Sequence, residues 1–309
     1  MNVVPVTRCV KLVIGQGSID LARAVLGCGG ERFGVIGALK KWRANRSRDK
    51  MTRISGFKYK LSICAIMKDE GPYLKEWIAF HLIVGVEHFY LYDNGSTDDT
   101  RRIIESLVSK GVSITYVSFP GEKMQMPAYR DCVERYSLET EWLSFVDLDE
   151  MIVPCQTDDI REVIKRYQNY AQLVLKWAVY GSNFQISRPH GLVIESFTRR
   201  GPWNCTILTK SIINPRLLFW PGVHQSVMSG RTKFISPSVA RVNHYHCKSV
   251  EEYRLKAGRG DVAYGREAGL VKYQAACFKE HDRNEIEDGS ACRFAKKIYS
   301  IYKDWTRSL

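Results

Sequence analysis

Trp142-Leu143-Ser144-Phe145-Val146 runs directly into Asp147-Leu148-Asp149-Glu150. A short apolar run of this length reads as a buried strand. Three carboxylates at its end place a cluster of charge where such a strand meets solvent. In an open α/β sheet the carboxyl ends of the strands form the edge where ligands bind. The junction at residues 146–147 is therefore the natural centre of the molecule.

Upstream, short apolar runs alternate with amphipathic stretches, as expected of βαβ units and a mostly parallel sheet. Leu61 to Met67 is the first predicted strand. Pro72 suits the first turn of a helix, along which Leu74, Trp77, Ile78, His81 and Leu82 recur at helical spacing up to Gly85. His88 to Tyr92 is the second strand, and Asn94-Gly95 breaks it. Ser96 or Thr97 is placed to cap the next helix, with Ile103, Ile104 and Leu107 on one face, before Gly111 ends it. Val112 to Val117 and Met126 to Tyr136 read as a third strand and a further helix.

Downstream, Asp158 to Tyr167 reads as a helix capped by Thr157, and Gln172 to Val179 as a strand. Residues 182–240 carry short apolar runs, Leu192 to Ile194 and Leu217 to Trp220, in a loop-rich setting suited to an acceptor side. Ser249-Val250-Glu251-Glu252 is a capping box, and Arg293 to Trp305 a last helix. The expected domains are a basic accessory arm and linker over 1–55, an α/β domain over 56–260 and a C-terminal helical extension over 261–309.

With 45% hydrophobic and 26% charged residues, the chain is not a disordered one. Its net charge of +13 is concentrated: residues 1–60 contribute +10 and the remainder only +3. The body thus has no polyanion footprint, and no nucleic-acid partner is expected of it. The basic front end is either a peripheral contact with an anionic membrane surface or a solvated face. Nine cysteines without a CxxC pair argue against a disulfide framework or a zinc site, and fit a reducing, cytoplasmic setting. No apolar run approaches the 18 or so residues needed to span a bilayer.

Asp147 and Asp149 at a strand end suit a divalent ion, Mn²⁺ or Mg²⁺, held by one or two carboxylates while its remaining positions take diphosphate oxygens. An acidic turn after a strand would show the same pattern. The stretch Asp93-Asn94-Gly95-Ser96-Thr97-Asp98-Asp99 follows a second strand; it suits a turn, and it also places Asp93 to accept hydrogen bonds from a base or ribose. Lys68, Asp69 and Glu70 close the first strand at the same edge. His244 and His246 are two residues apart, so on a strand both imidazoles share a face. That arrangement serves a metal or a hydrogen-bonded, Tyr-rich sheet.

Met67-Lys68-Asp69-Glu70, Tyr92-Asp93-Asn94-Gly95-Ser96-Thr97-Asp98 and Phe145-Val146-Asp147-Leu148-Asp149-Glu150 resemble, in order and spacing, the motifs of family 2 glycosyltransferases, especially the family 92-like branch. Phe184 to Arg200, Asn214-Pro215 with His224, and Asn243-His244-Tyr245-His246 with Lys248-Ser249 are similar to that branch too. The likeness covers roughly residues 60–260 and leaves 1–55 outside. It implies a GT-A fold, a nucleotide-sugar donor, UDP-linked by preference, and a saccharide or lipid-linked acceptor. It also implies donor contacts from Lys68, Glu70, Asp93, Asn94, Asp98, Asp147 and Lys248. The metal ligands implied are Asp147 and Asp149, completed by His244 or His246.

Enzymes of this kind usually invert the anomeric centre, which requires a general base. The Glu-Asp dipeptide familiar in family 2 does not align here, so Glu195 and His224 are rival candidates. Glu195 follows Leu192 to Ile194, where partial burial would raise its pKa. Two other readings remain: a nucleotidyltransferase using the same acidic edge, and a non-catalytic basic binding module on a degenerate scaffold. No GxxxxGK[ST] loop is present, which removes the P-loop form of the first.

Overall fold

A computed structural model describes residues 56–259 and 275–307. They belong to one compact unit. The basic arm expected over 1–55 and the stretch 261–274 lie outside the described residues. In chain order the first elements are β1 (Tyr59–Met67), α1 (Gly71–Ile83), β2 (His88–Asp93), α2 (Thr100–Ser109), β3 (Ile114–Ser118), α3 (Gln125–Tyr136), β4 (Thr140–Phe145) and β5 (Glu150–Pro154). Then follow α4 (Ile160–Arg166), β6 (Gln172–Val179), α5 (Val193–Ser196), β7 (Arg199–Arg200), β8 (Thr209–Ile213), β9 (Leu218–Trp220) and β10 (Val227–Met228). The chain closes with β11 (Thr232–Phe234), β12 (Ala240–His244), α6 (Val250–Arg259), α7 (Ala275–His281), β13 (Ile286–Glu287) and α8 (Ala295–Arg307).

The principal sheet has nine strands in the order β3-β2-β1-β4-β8-β6-β12-β5, with β11 also on β6. β1 pairs in parallel with β2 and β4, β2 with β3, and β6 with β11 and β12. β8 is antiparallel to both β4 and β6, so those two strands share a direction. β5 is antiparallel to β12. The sheet is therefore mixed but mostly parallel. All its strands except β5 and β8 run towards one edge, and β5 and β8 run away from it. That edge collects the residues after Met67, Asp93, Phe145, Val179 and His244 together with the first residues of β5 and β8.

The central strands are apolar because both faces are covered. β1 is buried from Leu61 to Met67 and β2 along its whole length. One face packs Trp77, Ile78 and Leu74 of α1 and Ile104 and Leu107 of α2 against Ile63, Phe89 and Leu91; the other packs Tyr129 and Cys132 of α3 against Cys64, Tyr90 and Phe145. Gly85 ends α1 at φ +100°, where a Cβ would meet Asp159 Oδ1 at 2.2 Å. The last helix packs on α1 through Ala295 and Ile298, and Phe294 just before it meets Phe80 edge-on. Among the described residues no helix is long and apolar enough to cross a membrane.

Several local expectations change. Asp159, not Thr157, caps α4, its carboxylate accepting from Arg161 N at 2.8 Å; the Thr157 hydroxyl accepts from Asp159 N instead. α2 begins at Thr100 without Ser96 or Thr97 as cap, since both are tied to Asp69. Glu150 to Pro154 is a strand, where the sequence reading set Glu150 at the end of the acidic junction and assigned no element to 151–154. The capping box opening α6 is as expected: Ser249 N donates to Glu252 Oε2 at 3.1 Å and Glu252 N to Ser249 Oγ at 3.3 Å.

Two buried polar side chains on α1 fasten neighbouring elements. His81 Nδ1 meets Trp77 O at 2.8 Å, and Nε2 accepts from Ile152 N of β5. Burial pulls its pKa down to about 3, so the ring is neutral in the folded chain. Glu76 accepts from Val193 N at 2.7 Å and Ile194 N at 3.1 Å, holding the start of α5. Burial raises this carboxyl from 4.5 to about 7, against the opposing pull of those N–H groups and Lys248. A carboxyl with a raised folded-state pKa contributes stability fully below pH 4.5, and that contribution is lost as pH rises towards 7. Relative to wild type, Glu76→Gln should therefore gain stability progressively across that window, by about 3 kcal/mol in all. Urea unfolding of both proteins at several pH values measures the difference; a pH-independent offset between them would refute it.

Candidate active site

The acidic segment 147–150 lies between β4 and β5 and is held from several sides. Trp77 Nε1 donates to Asp147 O at 3.0 Å and Glu150 O at 2.8 Å. Asp147 N donates to Glu150 Oε2 at 2.9 Å. Tyr245 N donates to Asp149 O at 2.8 Å. The pairing of β5 with β12 places Glu150 opposite His244, so sheet register brings the acids to the histidines.

The two ends of Asp147-Leu148-Asp149 have different surroundings. Asp147 Oδ2 accepts from Lys210 Nζ at 2.8 Å, and Oδ1 lies 3.2 Å from Gln125 Nε2 and 3.3 Å from the Tyr129 hydroxyl. Lys210 is the second residue of β8, 1% exposed, and its ammonium also lies 3.1 Å from Glu150 Oε2. Burial works against its charge, but Asp147 and Glu150 outweigh it and hold the lysine protonated. Burial pushes the Glu150 carboxyl well above its ordinary range, with Lys210 opposing.

Asp149 faces the histidines. Its Oδ1 lies 3.6 Å from His244 Nε2, and its Oδ2 lies 4.0 Å from His246 Nδ1 and 2.8 Å from Lys256 Nζ. One ligand atom from each of Asp149, His244 and His246 falls within 4.8 Å of the others, so the three could hold a metal ion. A carboxylate with two imidazoles suits a first-row divalent ion such as Mn²⁺ better than Mg²⁺, which favours an all-oxygen shell. Burial disfavours ionised Asp149, yet Lys256, His244 and His246 hold its carboxyl well below the usual range. Asp147, expected beside Asp149 on one ion, stands outside this trio and is engaged by Lys210.

A model of glycosyltransferase family 92 matches residues 59–287. The chain belongs to glycosyltransferase family 92. A family 92 protein of Arabidopsis thaliana, At1g27200, is 28% identical over 71% of this chain and 40% of its own length. A family 92 protein of Ricinus communis is 26% identical over 67% and 39%. Galactan beta-1,4-galactosyltransferase GALS2 of Arabidopsis thaliana is 24% identical over 56% and 37%. The chain thus spans less than half the length of these curated relatives. Among solved structures, S. aureus TarS 1-349 in complex with UDP aligns over 72% of this chain and 71% of its own at 14% identity. The TM-score of that alignment is 0.41.

The remaining expected residues of this family 92 chain divide into two groups. Asp93 is buried at the end of β2, accepting from Ser96 N and from the Tyr116 hydroxyl, both at 2.8 Å. Asn94 beside it is 7% exposed, and its Oδ1 has no hydrogen-bond partner among the described residues. Lys68 and Glu70 are half-buried in the loop after β1. Asp98 spends its carboxylate on backbone, accepting from Gly71 N and Thr100 N, and so ties the loops after β1 and β2 together. Lys248 is buried at φ +50° with its ammonium 3.7 Å from the Tyr73 ring centre, a packed cation and not a surface charge at the mouth of a helix.

His224 sits in the loop between β9 and β10. Its Nδ1 meets Thr209 O at 3.0 Å, and its ring lies 5.2 Å from that of Trp177, which in turn lies tilted 4.0 Å from His244. Burial and then Lys210 lower its pKa. A neutral ring bonded to a carbonyl carries its proton on Nδ1, leaving Nε2 as an acceptor. Glu195 differs from expectation: it is exposed on the four-residue α5, not partly buried at a strand end, and accepts from the Tyr299 hydroxyl of α8 at 2.7 Å. The apolar run before it points inward while the helical turn carries Glu195 outward.

Lys210, Lys256 and Trp177 were not singled out from sequence, and Trp77 was read only as part of a helix face. Lys210 alone carried a signal, a charged residue two positions before the apolar pair Ile212-Ile213. Replacing it by Met removes the cation balancing Asp147 and Glu150 and should destabilise the fold by about 3 kcal/mol. Adding Glu150→Gln should recover part of that loss. Thermal denaturation of the single and double variants decides the matter, and full additivity of the two effects would contradict it.

Proposed function

We propose that this chain is a nucleotide-sugar-dependent glycosyltransferase of the GT-A type, transferring a sugar to a hydroxyl acceptor with the help of a divalent ion. The observation that carries the reading is the meeting, at one sheet edge, of the Asp149, His244 and His246 cluster with the polar strand ends at Asp93 and Asn94. Family 92 membership supports glycosyl transfer. The names of the galactan galactosyltransferase relatives support a saccharide acceptor.

In this reading Asp149, His244 and His246 hold Mn²⁺ or Mg²⁺, which when bound supplies Lewis-acid stabilisation of the departing diphosphate. Asp93 accepts hydrogen bonds from the nucleoside, and Asn94 Oδ1 offers a further buried acceptor; UDP is the favoured nucleotide. Asp147, oriented by Lys210, Gln125 and Tyr129, lines the floor of the donor pocket, with Lys68 and Glu70 at its rim. Asp98 holds the loops after β1 and β2 together, and Lys248 packs on Tyr73.

His224 serves as general base. Its Nδ1–H is committed to the Thr209 carbonyl, which orients the ring and leaves the Nε2 lone pair to take the acceptor hydroxyl proton as the glycosidic bond forms. Attack from the face opposite the leaving diphosphate makes the reaction inverting. Glu195 on its exposed helix is the weaker claimant.

Calorimetric titration of UDP and of GDP, with Mn²⁺ and with chelator, tests the donor site. UDP binding should depend on the metal and be lost in Asp149→Ala. Absence of binding by either nucleotide under every metal condition would favour a non-catalytic module on this scaffold. In a second test, His224→Gln should leave UDP affinity within about twofold while lowering the transfer rate by about 10²–10⁴. An unchanged rate would remove His224 as base.

A further inference from the structure

The cluster of Asp149, His244 and His246 already contains a cation of the chain's own. Lys256 lies on α6, is 6% exposed, and places its ammonium 2.8 Å from Asp149 Oδ2 and 2.8 Å from the His246 carbonyl oxygen. The oxygen it touches belongs to the carboxylate that completes the trio. An ion bound there would sit about 2 Å from each ligand atom, which puts a dication and an ammonium side by side in a buried site. Like charges at such separation repel strongly where the dielectric is low. Lysine carries its charge on a four-carbon stem with freely rotating donors, so the head group can move without the helix unwinding.

We propose that Lys256 is a built-in counter-cation of this cluster, displaced when a divalent ion binds and received by the diphosphate of the incoming nucleotide. Metal and nucleotide are thereby coupled. The proposal rests on the donor-site reading above. Without nucleotide, the ion must drive the ammonium from a short contact with Asp149. Asp147 does not offer a vacant replacement, because Lys210 holds its Oδ2 at 2.8 Å. A diphosphate at the same edge supplies the negative charge that the displaced ammonium needs, so each ligand strengthens the other. Lys256 thus sets the threshold for metal binding and makes the ion enter best as a metal–nucleotide pair.

The test is Mn²⁺ titration of the full chain, followed by calorimetry and by the paramagnetic resonance of free Mn²⁺, without and with saturating UDP. Wild type is compared with Lys256→Gln, Lys256→Met and Lys256→Arg. Removing the charge should tighten Mn²⁺ binding without UDP by about tenfold or more, and should shrink the factor by which UDP improves it. Lys256→Arg, which keeps the charge, should retain a wild-type coupling factor. Lys256→Gln keeps a donor for the His246 carbonyl, and circular dichroism verifies that it is folded. Unchanged or weaker Mn²⁺ affinity in folded Lys256→Gln, with wild-type coupling to UDP, overturns the role given to Lys256 and leaves the donor site standing. Absence of Mn²⁺ binding in every protein, with or without UDP, overturns that role and the metal site together.

Discussion

A buried ammonium, that of Lys210, allows two acidic side chains to converge at the centre of this protein. Asp147 and Glu150 sit close enough to share it, with Glu150 wholly buried. Their mutual repulsion and desolvation would otherwise force the acidic segment outward into water. Glu150 in turn accepts the Asp147 amide, and the Trp77 indole clamps the carbonyls at both ends of the turn. The same turn fixes Asp149, whose carbonyl accepts from Tyr245 N between the two histidines.

The strand directions explain why Lys210 is available there. β8 and β5 run against the other strands of the principal sheet, so their first residues meet the last residues of β4, β6 and β12. A wholly parallel sheet would place a residue at the start of β8 on the far side. With β8 reversed, Lys210 reaches Asp147, and with β5 reversed, Glu150 lies in register with His244. Trp177 near the end of β6 then fills the space between His244 and His224.

Charge is balanced by position at this edge. Lys210 answers Asp147 and Glu150, and Lys256 answers Asp149, so two neighbouring carboxylates of one short motif have different counter-charges. One is fastened from within the sheet; the other is answered from a helix whose long side chain can move. The first suits a fixed wall and the second a position where a ligand is exchanged. Among the described residues, this difference separates two aspartates that look equivalent along the chain.

Apolar runs and their spacing determined most of the α/β framework. Leu61 to Met67, His88 to Tyr92 and Gln172 to Val179 are strands because continuous apolar runs of that length must be covered on both faces. The acidic strand end, Asp93 and the His244/His246 pair were legible as well, since residue type and spacing state what chemistry is possible. Which carboxylate meets which cation was not legible. Lys210 and Lys256 are 63 and 107 residues from Asp147 and Asp149, and no local pattern encodes a contact at such a separation. Glu195 shows the same limit: a one-turn helix turned it outward, where a strand would have left it half-buried. Sequence set the local elements because hydrogen-bond geometry and apolar periodicity are local. Tertiary structure alone chose the partners, because strand direction and register are settled by packing the whole sheet at once.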